Sequence, residues 1–134
     1  VVDFSSEEAS GEGTNGFASL ILDGNTSTFW HSQWANGTGQ LPHHITIDMQ
    51  KEVTVVQVDL TRRTNNTDTK AGNFYISSDK TNWTKVGSFV MAKINDAQPF
   101  AVTKSKGRYL KIEITESNRA PFANMAEVDV RGIE

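Results

Sequence analysis

The chain is 134 residues long, carries a formal net charge of −3 and contains no cysteine. One domain accounts for that length, and disulfides, thiolate metal sites and a cysteine nucleophile are excluded. Acids and bases are interspersed with no basic footprint for nucleic acid, and no apolar run approaches the ~20 residues of a membrane helix. The expectation is a monomeric module that neither binds nucleic acid nor inserts into a membrane. The abrupt opening Val1-Val2-Asp3 reads as a segment, residues 1–134, cut from a longer protein, so its start assigns no compartment.

In chain order, Ser5 to Asn15 is rich in Ser, Glu and Gly and reads as an irregular lead-in. Gly16–Leu22 is the one stretch that predicts a short helix. Beyond it the dominant period is two. Ile45, Ile47 and Met49 alternate with polar residues, then Val56, Val58 and Leu60, then Leu110, Ile112 and Ile114, and finally Val128 and Val130 about Asp129. Alternation over short segments marks half-buried strands. Further strands are expected at Asn73–Ser77, Trp83–Phe89 and Gln98–Thr103, with turns at Thr64–Asp68, Ser78–Lys80 and Ser105–Gly107. Met91–Asp96 reads as a surface loop. About eight strands in one domain predict an all-β sandwich of mainly antiparallel strands, with function in its loops.

Two segments carry chemistry. Asp23-Gly24-Asn25-Thr26-Ser27-Thr28 crowds oxygen donors into a tight turn. It reads either as a hydrogen-bonded Asx turn or as a site for Ca²⁺, which takes six to eight oxygens at ~2.3–2.6 Å. Trp30-His31-Ser32-Gln33-Trp34 follows. A sugar offers hydroxyls and an apolar C–H face, so a site for it combines an aromatic platform with a few fixed polar groups. His31 and Trp34 supply one of each. Trp30 is expected in the core beneath the turn; Trp34 is open between core and surface. Arg62 and Arg63 end a strand and present the rigid fork that suits vicinal hydroxyls, or else pair with Asp59 or Asp68 as surface arginines do. His43-His44 has no third ligand near it in sequence and reads as polar residues at the start of a strand. A glycosidase needs two carboxyls ~5–9.5 Å apart across the bond. Asp48 and Asp59 sit on strand faces with no marked cleft, and no nucleophile elbow is present. The chain is therefore read as a binding module and not an enzyme.

Several segments in order resemble the discoidin family, also called the coagulation factor V/VIII type C domain, and within it the bacterial family-32 carbohydrate-binding modules. They are Ala18 to Trp30, Pro42 to Met49, Ile76 to Trp83, Gly107 to Ile112 and Ala126 to Val130. Vertebrate members carry a disulfide that this chain cannot form. The resemblance implies a discoidin-like β-sandwich and a structural calcium ion held by Leu20, Asp23, Asn25, Thr28, Ala126 and Glu127. It implies a sugar site of His31, Trp34, Arg63 (Arg62 as fallback), Asn66 or Asn65, and Phe122. It also implies glycan partners bearing galactose, N-acetylgalactosamine or N-acetylglucosamine, and a parent such as a chitobiase-like glycoside hydrolase outside the cell, in the periplasm or at a bacterial surface. The alternative within the family is a protein- or lipid-binding adhesion domain; a purely structural spacer is a third reading.

Overall fold

In the computed structural model, residues 1–133 are described. Eight strands run β1 (Asp3–Phe4), β2 (Trp30–His31), β3 (His43–Thr61), β4 (Thr69–Ser77), β5 (Thr84–Val90), β6 (Gln98–Ser117), β7 (Asn124–Met125) and β8 (Glu127–Ile133). The predicted short helix is a single 3₁₀ segment, Ala18–Leu22, which buries Ala18 and Ile21.

The larger sheet runs β1-β3-β6-β4-β5, with β8 also on β3, and every pairing in it is antiparallel. β3 and β6 are long enough to serve two leaves. The first half of β3 lies between β1 and β6, and its second half between β8 and the first half of β6. Register shifts between Asp48 and Val53, and between Val55 and Gln57, mark the transitions. Bulges of this kind bend and twist a strand, which lets one strand feed both leaves. The leaves close on one another through Phe74, Phe89 and Phe100, whose ring centroids are 5.1–6.2 Å apart.

Two readings from the alternation need correction. Ser105–Gly107 is not a turn: it is paired with Val53–Val55, so the two strands expected on either side are the single strand β6. Val55, and not Val56, is fully buried, followed by Val58 and Leu60. Against β8 the ladder steps from Val55–Gly132 to Gln57–Arg131, so Val56 is an inserted residue, and one residue is enough to exchange faces. The three two-residue strands were invisible to a period-two reading, which needs four or more residues.

β2 and β7 form a separate antiparallel ribbon, pairing Trp30 with Met125 and His31 with Asn124. It carries the site. Trp30 is fully buried, as expected, and its indole N–H donates to the Ser6 carbonyl at 2.9 Å. His43 is more than a polar strand start: it is completely buried, sits edge-on to Trp30, and its Nε2–H donates to the Pro121 carbonyl at 2.5 Å. Burial pushes its pKa down.

A loop cleft and an acidic turn

The β2–β7 ribbon sets His31 beside the loop that leads into β7. Ser32 strengthens the joint, donating its N–H to the Ala123 carbonyl at 2.9 Å and accepting the Ala123 N–H on its hydroxyl at 3.1 Å. His31 and Phe122 consequently stand with ring centroids 5.9 Å apart. Together with Glu12, Trp34, Arg63 and Arg119 they line a cleft of about 350 Å³. Four side chains picked from sequence thus converge: His31, Trp34, Arg63 and Phe122.

Each is held in place by its neighbours. The Nδ1–H of His31 donates to the Ser32 carbonyl at 2.7 Å, which leaves Nε2 as the acceptor of the neutral ring. Trp34 is 40% exposed, which settles its place at the surface. Its indole N–H donates to Glu12 Oε2 at 3.0 Å, and its six-membered ring lies so close to Gly11 that a Cβ there would stand 2.2 Å from it. The Arg63 guanidinium stacks 3.9 Å from the Phe29 centroid and lies 3.7 Å from Glu12 Oε1. Arg119 stacks 4.8 Å from the Phe122 centroid and donates to Asp68 Oδ2 at 3.0 Å.

The amide candidates are placed differently. Asn66 lies outside the lining of the cleft, its Oδ1 taken by the Asp68 N–H at 2.8 Å. Asn65 and Arg62 both turn to Asn95 on the β5–β6 loop, at 2.9–3.1 Å. Arg62 is therefore no substitute for Arg63. Nor do Asp59 and Asp68 pair with either of these arginines: Asp59 holds Arg131 and Asp68 holds Arg119.

The residues that sequence reasoning missed lie in the irregular lead-in and the late loop. Glu12 and Arg119 join the cleft, and Glu8 builds it. Glu8 is 1% exposed, and its carboxylate accepts four backbone N–H groups, from Ser10 (2.9 Å), Gly11 (2.6 Å), Trp34 (2.9 Å) and Ala35 (2.8 Å). Those from Trp34 and Ala35 do most to hold its pKa at about 2, because hydrogen bonds to the charged form favour it. One carboxylate thus locks the Trp34 loop to the segment that carries Gly11 and Glu12. Nothing in the local sequence separates Glu8 from Glu7, so no local signal could have found it. Gly16 completes the joint: its φ is +98°, and a Cβ there would stand 1.9 Å from the Glu8 carbonyl oxygen.

The acidic turn lies against the start of β8. Asp23 Oδ1 accepts the Asn25 N–H at 2.9 Å, the expected Asx turn, and Oδ2 accepts the Thr28 hydroxyl. The Thr28 hydroxyl also lies 3.0 Å from the Asn25 carbonyl, and the Leu20 carbonyl accepts the Asp23 N–H at 3.3 Å. Gly24, at φ +73°, turns its N–H onto both Glu127 oxygens at 3.1–3.3 Å. Burial, with the nearby Asp129 and Asp23 charges, raises Glu127 to about 7, while the Thr28 hydroxyl lowers Asp23. Two carboxylates from opposite ends of the chain are thus brought together with little positive charge to offset them. Among the described residues no group of three or more His, Cys, Asp or Glu gathers at one point. The oxygens gathered here are the two carboxylates, the Thr28 hydroxyl and the Leu20 and Asn25 carbonyls, and the resemblance to the family would add the carbonyls of Thr28 and Ala126. That all-oxygen donor set fits a hard cation such as calcium.

The bulged two-leaf sandwich, with its loop cleft on a β2–β7 ribbon, places the molecule among β-sandwich modules of the discoidin type. Residues 3–128 match the F5/8 type C domain, and the chain belongs to that family. It is 30% identical to the sialidase of Micromonospora viridifaciens over 139 residues, an alignment that takes in 98% of this chain and 21% of the sialidase; the chain thus spans about a fifth of that relative. Among solved structures, the C-terminal domain of a chitobiase from Bacteroides fragilis is 39% identical with a TM-score of 0.87, covering 98% of this chain and 91% of that one. The family 32 module of Clostridium perfringens NanJ, solved with galactose, is 25% identical with a TM-score of 0.76, covering 96% and 90%.

Proposed function

We propose that this chain is a non-catalytic carbohydrate-binding module that holds a larger glycan-processing protein, such as a chitobiase-like glycoside hydrolase, on glycans ending in galactose, N-acetylgalactosamine or N-acetylglucosamine. The carrying observation is the convergence of an imidazole acceptor, a guanidinium donor and two aromatic rings around one cleft. The likeness to a chitobiase domain and to a galactose-bound module supports the same reading. Such a module would work outside the cell, in the periplasm or at a bacterial surface, where polysaccharides and glycoproteins are met.

The chemistry favours an axial hydroxyl, as on C4 of galactose. Nε2 of His31 accepts the hydroxyl proton while Arg63 donates to the hydroxyl oxygen. An axial group projects from the ring and fits between them, and the ring's apolar face is left to Trp34 or Phe122. A hydroxyl in the equatorial position leaves one of these polar groups unpaired, and unpaired groups in a site cost affinity. Galactose or N-acetylgalactosamine should therefore bind more tightly than glucose, with N-acetylglucosamine the chief competitor. A calcium ion on Asp23 and Glu127 would be structural, tying the first loop to the last strand. The test is titration of wild type, His31→Ala and Arg63→Ala against glycans with terminal galactose and with terminal N-acetylglucosamine. Loss of galactose binding in both variants is expected. Equal or tighter binding of the equatorial sugar removes the axial-hydroxyl assignment, and undiminished binding in both variants removes the site.

A further inference from the structure

The register of the larger sheet aligns one row of outward-facing side chains across four strands. Asp3 of β1 lies opposite Thr46 of β3, Thr46 opposite Lys111 of β6, and Lys111 opposite Tyr75 of β4. The β4–β5 loop folds Lys80 and Trp83 onto the same face, and with Asp3, His44, Thr46 and Lys111 they enclose a shallow cleft of about 210 Å³. It shares no residue with the loop cleft.

Its cations stand apart from others in the molecule. Arg63, Arg108, Arg119 and Arg131 each meet a carboxylate. The ammonium of Lys111 instead lies over aromatic rings, 4.4 Å from the Trp83 centroid and 5.2 Å from that of Tyr75, and that of Lys80 lies 5.4 Å from the Tyr109 ring. Neither ammonium forms a close ion pair among the described residues, although Lys80 is near enough to Asp48 to help lower its pKa. Asp3, the one acid on the cleft, is held by His44 at 2.9 Å. On a chain of net charge −3, two lysines against one acid leave this cleft with an excess of positive charge. Two neutral groups add to it. Thr46 is 2% exposed at the floor, with its hydroxyl bonded to no described residue, and the Trp83 indole N–H is likewise unengaged among the described residues. Donors, two cations and an indole in a recess of this size are what a small anion with hydroxyls and an apolar edge requires.

We infer that this face of the sheet is a second binding site, for a carboxylated sugar unit of an acidic glycan. The sugar carboxylate meets the Lys80 and Lys111 ammoniums, a ring hydroxyl meets Thr46, and the ring edge lies against Trp83. The site is independent of the loop cleft and of the reading proposed for it.

The experiment is a heteronuclear NMR titration of the intact chain with tri-galacturonate, using a neutral galactose trisaccharide and its sulfated form as controls. The three tryptophans give three indole N–H signals, so one spectrum reports on both clefts. Tri-galacturonate should move the Trp83 signal, and Lys80→Met and Lys111→Met should each weaken binding about tenfold, as loss of one charge-assisted bond does. Tri-galacturonate also carries an axial C4 hydroxyl that the loop cleft would take, so binding at this face is read from the Trp83 signal alone, and the Trp34 response should be unchanged in both lysine variants. Lys80 is exposed, so its variant remains a test if Lys111→Met perturbs the fold. A Trp83 signal that does not move, a Trp83 titration undiminished in the lysine variants, or an equal Trp83 response to the neutral trisaccharide would overturn the site. Tighter binding of the sulfated sugar would overturn the assignment of a carboxylate.

Discussion

Trp30 and Trp34 lie four residues apart and should respond to truncation in opposite ways. Trp30 is fully buried in close packing with His43, so Trp30→Ala leaves a sealed cavity. Such truncations cost about 3–5 kcal/mol. At ~2.1 cal/mol/K per residue, the unfolding entropy of 134 residues is about 280 cal/mol/K, which converts that loss to a fall in Tm of about 11–18 °C. Trp34 is 40% exposed, and removing it opens no enclosed void. With roughly three fifths of the indole covered, at ~25 cal/mol/Å² and less what alanine still buries, Trp34→Ala should cost about 2 kcal/mol, or about 7 °C. Function should divide the other way, with Trp34→Ala losing measurable sugar affinity. Thermal denaturation followed by circular dichroism, with calorimetric titration of galactose at a temperature where both variants are folded, separates the two. Equal losses of Tm would refute the division between core and platform, and so would a Trp34→Ala protein that binds sugar like wild type.

Three further outcomes are expected. Calcium should stabilise the fold by about 2.7 kcal/mol at a free ion concentration 100 times Kd, raising Tm by about 10 °C, and EDTA should reverse this, and Asp23→Asn should abolish the response; identical melting curves with and without chelator, and no metal by elemental analysis, exclude the ion. The Glu8 pKa is about 2 when folded against an ordinary 4.5, so its contribution to stability is present above about pH 4.5 and is lost as pH falls towards 2; Glu8→Gln should be less stable at pH 7 and show a flatter acid limb, and an acid profile matching wild type would contradict this role. In Gly11→Val, a Cβ 2.2 Å from the Trp34 ring should displace the indole, weakening sugar binding and shifting its fluorescence with little change in Tm; unchanged affinity would show that the orientation of Trp34 is not fixed by this contact.

Local pattern was sufficient for much of this molecule. Alternation in Ile45–Met49 and Leu110–Ile114 determined which residues face inward, because the pleat has a period of two whatever the partner strand. Turn chemistry placed Asp23–Thr28 and Ser78–Lys80, and the spacing of His31 and Trp34 pointed to the loop that lines the cleft. What only the tertiary structure decided are relations between distant segments. The bulge between Val55 and Gln57 moved burial from Val56 to Val55, since register is a property of a pair of strands and not of one. The β2–β7 ribbon, two residues on each side, brought Phe122 to His31 across 91 positions of sequence. Asn65 and Arg62 went to Asn95 because the β5–β6 loop happens to offer them an amide. Glu8, one acid among several in an irregular stretch, became the buried centre of the binding loops because four N–H groups from two segments converge there. A carboxylate is buried only when its surroundings satisfy it, and those surroundings exist only once the chain has folded.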